Sequence, residues 1–253
     1  MGKLANAMHP LKRDGAIAFW GRLKRSIILN SIDLLSRQIA KDTSQDPYYL
    51  NFNSFVREVN KLHNHKILEI GSRNVSGSSY KPVFQGYDEY VGFDIYNGEN
   101  VDVVGDVHQL SEYFAPEHFD VVLAVSVFEH LAMPWKAVME INKVMKVNGL
   151  VFIATHPTWP AHELPWDFWR FSKEAFKVLL NPITGFEIIN CVEGLPCSII
   201  PFGNEHSVRG LHKHPANLAV DALAKKCGAF DDRLAWEVRI DEILGTMYPK
   251  RLP

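Results

Sequence analysis

The densest group of chemically capable side chains in this 253-residue chain is His156-Pro157-Thr158-Trp159-Pro160-Ala161-His162-Glu163-Leu164-Pro165-Trp166-Asp167-Phe168-Trp169-Arg170-Phe171. Histidine is the side chain suited to take a proton from a substrate hydroxyl near neutral pH. His156 and His162 are therefore candidate general bases. Pro160 and Pro165 bracket and stiffen His162, which favours it, whereas His156 ends the preceding apolar run and suits a buried structural contact. Asp167 and Arg170, three residues apart, suit a pair that holds the loop together. The rings of Trp159, Trp166, Phe168 and Trp169 are suited to covering a site, and sugar rings pack on such faces.

A second group consists of acids at the ends of short apolar runs. Glu69 lies in Lys66-Ile67-Leu68-Glu69-Ile70, Asp94 precedes Ile95 at the end of a run starting at Tyr90, and Asp106 follows residues 101–105. Runs of this length, rich in β-branched residues, read as strands buried on both faces. The first breaks at Gly71 into a loop of small residues, 72–79, which lets backbone N–H groups approach an anionic or polar ligand. Glu69 can accept hydrogen bonds from an ammonium group or from loop amides. An acid at the tip of a second strand, as Asp94 is, grips vicinal ribose hydroxyls in βαβ folds. A fourth run, 119–126, contains Val125 and leads into Glu129-His130, which suits either the rim of a site or a plain helix start.

These residues need elements to position them. The spacing of Phe55, Val56, Val59 and Leu62 predicts a helix over 53–62, after a polar linker at 41–47. A short helix is expected at 78–84. Pro134 opens a further helix that Gly149 stops, with Ala137, Val138, Ile141, Val144 and Met145 as its buried stripe. Strands at 150–155 and 186–192 and a helix from about Ser172 follow. Strands alternating with amphipathic helices imply right-handed crossovers and a parallel sheet. A terminal helix at 231–244, capped by Asp231 or Asp232, is expected.

The ordered motifs together resemble the class I S-adenosylmethionine-dependent methyltransferases, in particular the type 11-like subgroup. Its first loop reads roughly E-I-G-S-(R/Y)-(N/D)-V-N-G-S, and this chain has Glu69-Ile70-Gly71-Ser72-Arg73-Asn74-Val75-Ser76-Gly77-Ser78. The resemblance extends over residues 62–226 and includes an H-x-x-P-x-D-(Y/F)-W-R-(F/Y) segment, here His162, Pro165, Asp167, Phe168, Trp169 and Arg170. It implies a Rossmann-like α/β fold whose sheet is mostly parallel with an antiparallel last strand. That strand would occupy 216–226, where alanine and leucine by themselves favour helix.

The same resemblance implies S-adenosylmethionine as cofactor. Glu69 and Gly71 would hold its methionine part, Asp94 its ribose and Asp106 its adenine amino group, with Ser72, Arg73, Asn74 and Ile95 as further cofactor contacts. Val107 and His108 would lie along the ring, with Val125 and His130 at the rim. On plainer readings Asp106 caps the next helix and Asp94 is a turn acid. Arg73 and Asn74 stand where common loops of the family carry further glycines. Arg73 then points outward or toward the cofactor carboxylate, for which a guanidinium is suited.

The reading that follows is methyl transfer to an oxygen of a small-molecule or saccharide-type acceptor. A non-catalytic cofactor-binding or interaction module is the alternative. A nicotinamide-dependent oxidoreductase is disfavoured, because Gly71-Ser72-Arg73-Asn74-Val75-Ser76 does not supply G-x-G-x-x-G.

Composition excludes other classes. A net charge of −2 argues against a nucleic-acid partner. Cys191, Cys197 and Cys227 are too few and scattered for a disulfide framework or zinc cluster, and a reducing cytoplasm is the expected home. No metal is expected, Glu205, His206, His212 and His214 reading as solvated loop residues. No run approaches the roughly 20 apolar residues of a membrane span. The start, Met1-Gly2-Lys3-Leu4-Ala5-Asn6, matches neither a myristoylation signal nor a signal peptide. Residues 16–39 read as a helix, with Lys12, Arg13, Arg22, Lys24 and Arg25 near its start beside Phe19 and Trp20. Packing on the catalytic domain or on a second copy, as a homodimer, suits it better than a membrane surface. The expected domains are 1–61, a helical extension; 62–230, the cofactor-binding domain; and 231–253, a helix and tail.

Overall fold

Neighbouring residues of the central strands are buried on opposite faces of a single sheet. The computed structural model describes residues 2–39, 42–75, 77, 79–202 and 205–234. Its strands are β1 (His65–Ile70), β2 (Tyr87–Asp94), β3 (Val103–Val104), β4 (Phe119–Val125), β5 (Met145–Thr155), β6 (Phe186–Cys197) and β7 (Ala216–Lys226), and its helices are α1 (Gly2–Ile39), α2 (Pro47–Val59), α3 (Pro134–Val144) and α4 (Lys173–Leu179). The sheet runs β3-β2-β1-β4-β5-β7-β6. Pairing is parallel from β3 to β5, and β7 lies antiparallel to both β5 and β6. The alanine-rich 216–226 segment is thus a strand, held between two partners.

Leu68, Val122, Ala124, Val151 and Ile153 join one buried cluster with Ala137, Val138, Ile141 and Phe176 of α3 and α4. Ile67, Val121, Leu123, Phe152 and Ala154 join another with Phe55 and Val59 of α2. Two covered faces explain why these strands read as continuous apolar runs rather than as alternating ones. Phe55 and Phe152 stack with centroids 5.1 Å apart. Such a pair contributes about 0.5–1.5 kcal/mol beyond the area it buries.

Several boundaries differ from the sequence expectation for identifiable reasons. Helix α2 begins at Pro47, inside the expected linker, because the Asp46 side chain caps it by accepting from the Tyr48 amide. The other Asp46 oxygen accepts from the Leu195 amide at 2.9 Å, which ties the helix start to β6. Helix α3 ends at Val144 rather than at Gly149, and Met145 already pairs with Phe119 of β4. Lys226 Nζ donates to the carbonyls of Asn142 (2.9 Å) and Met145 (2.7 Å), capping the helix from the far end of β7. The expected 78–84 helix is reduced to a 3-10 turn, Lys81–Val83.

The chain divides into two units, Met1–Thr43 and Ser44–Pro253. Because α2 buries Phe55 and Val59 against the sheet, the second unit starts near residue 44, not at 62. Helix α1 is longer than the periodic stretch 16–39 and exposes Trp20, Ile27, Leu34 and Leu35. Among the described residues no helix is long and apolar enough to cross a membrane. Most of the expected 231–244 helix lies outside the described residues; Asp231–Leu234 close only a turn.

Candidate active site

The crossovers leave the sheet in opposite directions at β1 and β4, and open α/β sheets bind ligands at that point. A cleft of about 530 Å³ opens there. Glu69, Gly71, Ser72, Arg73, Asp94, Ile95, Asp106, Val107, Val125, His130 and His162, all singled out from sequence, line it together with Tyr80, Tyr96, Leu131 and Trp166. Gly71 has φ +77°, and a Cβ there would lie 2.2 Å from a methyl of Val127. The first loop can therefore cross the floor of the cleft only as glycine.

Its amides, however, are not free for a ligand. Those of Gly71 and Ser72 donate to the Phe93 carbonyl, that of Arg73 to Asp94 Oδ2, and that of Asn74 to the Glu99 carbonyl. The strand–loop turn consumes its own donors because it is stitched to β2 and the loop after it. The Asn74 side chain is also spent locally, receiving the Gly77 amide at 2.7 Å and donating to Glu99, and Asn74 does not line the cleft. Arg73 points neither outward nor across the site. It turns back over the Tyr96 ring, with Nε 3.5 Å from Asp94 Oδ1.

Glu69 is buried, and Tyr90 on the neighbouring strand donates its hydroxyl to Oε2 at 2.5 Å. Burial pushes the Glu69 carboxyl up, while the Tyr90 hydrogen bond and Lys81 pull it back. Burial and the Glu69 charge drive the Tyr90 phenol far above its ordinary range. Asp106 Oδ1 receives both the amide and Nδ1 of His108, the latter at 2.6 Å. Nε2 of His108 receives the Met133 amide. His108 is thus a buried clip between Asp106 and the 131–133 segment; it does not line the cleft as the resemblance implied. Asp106 Oδ2 and Ser72 Oγ are among the buried polar atoms of cleft residues that find no hydrogen-bond partner among the described residues.

The 156–171 loop is locked onto the turn after β4. Arg170 holds both oxygens of Asp167, at 2.6 and 2.8 Å, and donates to the carbonyls of Trp159, Pro160 and Trp169. This pairing holds the Asp167 carboxyl far below the ordinary carboxylate range. The Glu129 carbonyl receives the amides of Phe168 (2.8 Å) and Trp169 (3.2 Å), and the Trp169 indole donates to Leu131. Glu129 itself has no exposed surface. Nε2 of His156, His130 and His162 stand 3.5, 3.9 and 4.0 Å from its Oε1. His156 lies behind the cleft, stacked on Trp159 at 4.5 Å, whereas His162 lines it.

Residues 68–153 match the protein-family model described as "Methyltransferase domain". They carry an S-adenosylmethionine-dependent methyltransferase domain of class I. Among solved structures, a chain of the complex between the Haloferax volcanii Trm112 methyltransferase activator and a methyltransferase superposes with TM-score 0.51 at 15% identity, over 70% of this chain and 89% of that one. A Bacillus halodurans C-125 methyltransferase gives 0.49 at 13%, over 69% and 98%. An S-adenosylmethionine-dependent methyltransferase from Archaeoglobus fulgidus gives 0.48 at 14%, over 77% and 99%. No curated protein matches the chain significantly.

The cleft of this methyltransferase fits its cofactor: it offers carboxylates at three strand ends, a floor crossed by glycine, and unsatisfied polar atoms at Ser72 and Asp106. Sequence reasoning missed Tyr90, Tyr96, Leu131 and the central place of Glu129. Only the pairing of β1 with β2 and of β4 with β5 brings them to the site, although the Glu129-His130 dipeptide at a strand end was a signal for the last.

Proposed function

We propose that the methyltransferase methylates an oxygen of a small-molecule or saccharide-type acceptor in the cytoplasm. The observation that carries this reading is the convergence of His130, His156 and His162 on Glu129 beside the cleft. When bound, S-adenosylmethionine supplies an electrophilic methyl group on a sulfonium. Glu69 takes the ammonium of its methionine part, Asp94 the ribose hydroxyls with Ile95 beside them, and Asp106 Oδ2 the adenine amino group, with Val107 along the ring. Ser72, Arg73, Val125 and His130 complete the wall. The protein's task is then to align donor and acceptor, to exclude water and to remove one proton. His162, which lines the cleft, is the group assigned to that proton, with His156 behind it. Trp166 and the rings beside it cover the acceptor space and suit a sugar face. Helix α1, with Trp20, Ile27 and Leu34 exposed, is assigned to contact with a second copy.

The test is release of S-adenosylhomocysteine from the full-length protein, with hydroxyl, amine and carbon acceptors offered separately. Hydroxyl acceptors should turn over. His162→Ala should lower their turnover by about 10²–10⁴-fold with cofactor affinity retained. Turnover confined to amine or carbon acceptors would overturn the assignment.

A further inference from the structure

Four atoms meet beside the cleft, one oxygen of a buried carboxylate and the Nε2 atoms of three imidazoles. His130 Nδ1 lies 2.6 Å from the Trp166 carbonyl, His156 Nδ1 3.0 Å from the Leu218 carbonyl and His162 Nδ1 3.1 Å from the Pro160 carbonyl. A carbonyl only accepts, so each Nδ1 carries a proton, and each ring turns its Nε2 inward. All three Nε2 atoms face Glu129 Oε1, at 3.5 to 4.0 Å. That oxygen is buried and receives no hydrogen bond from the described residues. His156 Nε2 has a donor in the Ser126 hydroxyl at 3.2 Å. The ligand atoms of Glu129, His130 and His162 lie within 4.8 Å of one another.

A buried carboxylate oxygen and imidazole nitrogens gathered around one point form the donor set of a cation site. An imidazole whose second nitrogen donates to a backbone carbonyl is the usual arrangement of a metal-ligating histidine, since that bond fixes the tautomer and raises ligand basicity. We propose that Glu129, His130 and His162 bind a divalent transition-metal ion of the zinc type. Two imidazoles and one carboxylate form a three-ligand set that leaves a coordination position open. With bonds of about 2.0–2.2 Å, ligand atoms stand roughly 3.3 Å apart in a tetrahedral site, so closure asks for an inward shift of about half an ångström. His130 and His162 also line the cleft, so the open position faces the acceptor space. The exposed histidines His206, His212 and His214 are not part of this site.

The inference rests on the methyl-transfer reading only for its consequence. An acceptor hydroxyl at the open position loses its proton to water, its oxygen bonds to the methyl carbon, and the carbon–sulfur bond breaks to leave a neutral thioether. With a metal bound, His162 serves that deprotonation as a ligand to the ion that acidifies the hydroxyl, and this replaces its role as direct proton acceptor in the metal-free reading.

The full-length protein, stripped with chelator, is titrated with zinc chloride by calorimetry and with cobalt chloride by visible absorption. One equivalent should bind, and cobalt should show the intense bands of a site with fewer than six ligands. His162→Ala and Glu129→Gln should each weaken zinc at least about 100-fold, beyond the effect of losing an outer partner. S-adenosylhomocysteine titrated into the same metal-free samples reports on folding and on the cofactor reading separately. If that binding persists while the parent takes up no equivalent of zinc, the proposal fails and the methyltransferase reading stands. Zinc uptake unchanged in both variants would also overturn it, by assigning the metal to other histidines.

Discussion

Thr155, the last residue of β5, donates its hydroxyl to Glu129 Oε2 at 2.5 Å, across the gap between the ends of β5 and β4. Both residues are buried. The bond fixes the carboxylate so that its other oxygen faces the three imidazoles. Thr155→Val keeps the shape and removes the donor, leaving a buried acceptor short of a partner. The expected cost is about 1–3 kcal/mol, read as a lower Tm, with Thr155→Ser recovering most of it. An unchanged Tm in the valine variant would show that the bond does not stabilise the fold.

Asp94 receives the amides of Arg73 and Tyr96 and lines the cleft. Asp94→Ala should weaken S-adenosylmethionine and S-adenosylhomocysteine alike by about one to two decades, the range for hydrogen bonds to a charged acceptor. Calorimetry with both ligands measures this. Equal affinity in parent and variant would remove the ribose assignment.

Arg170 spans Asp167 and three carbonyls of one loop, which a lysine cannot imitate because it lacks the planar fork. Arg170→Lys should therefore lower turnover while cofactor affinity holds, since Arg170 does not itself line the cleft. A variant with the parent's turnover would show that the clamp is dispensable.

Asp221 sits in β7 with no exposed surface, its carboxylate receiving the Asn51 side-chain amide, and burial pushes its carboxyl up to about 7 from 3.8. The folded state then binds more protons than the unfolded one between these values. Stability is greatest below about pH 4 from this group alone, and falls as pH rises toward about 7. The shift of about 3 units corresponds to a ceiling of about 4 kcal/mol. Asp221→Asn should raise Tm at pH 8 more than at pH 5.5. Melting curves that shift in parallel at both values would contradict a raised Asp221.

Removing residues 1–43 should leave the second unit folded, because the α2–sheet contacts of Phe55 and Val59 remain complete. Circular dichroism checks folding, and sedimentation checks whether the removed helix held two copies together. Loss of the folded signal would make that helix part of the core.

The strand ends were legible because a sheet covered on both faces writes itself as apolar runs, and Glu69, Asp94 and Asp106 interrupt those runs at their mouths. The Asp167–Arg170 clamp was legible from spacing alone. Asn74 and His108 do not line the cleft, because polar side chains next to a turn close on neighbouring groups of the chain before they reach a ligand. Asn74 closes on Gly77 and Glu99, and His108 bridges Asp106 and Met133.

By itself the sequence determined the buried strands, their alternation with helices, and the acids at their ends, since periodicity and burial are local properties of the chain. Tertiary structure decided what no local pattern encodes. Lys226 stops α3 from more than 80 positions away along the chain. Parallel pairing of β4 with β5 sets Glu129 against Thr155 and His156, and the clamped loop then returns His162 to the same point. Each imidazole's orientation comes from a carbonyl on another segment or a later turn, so the convergence on Glu129 exists only once the backbone is in place.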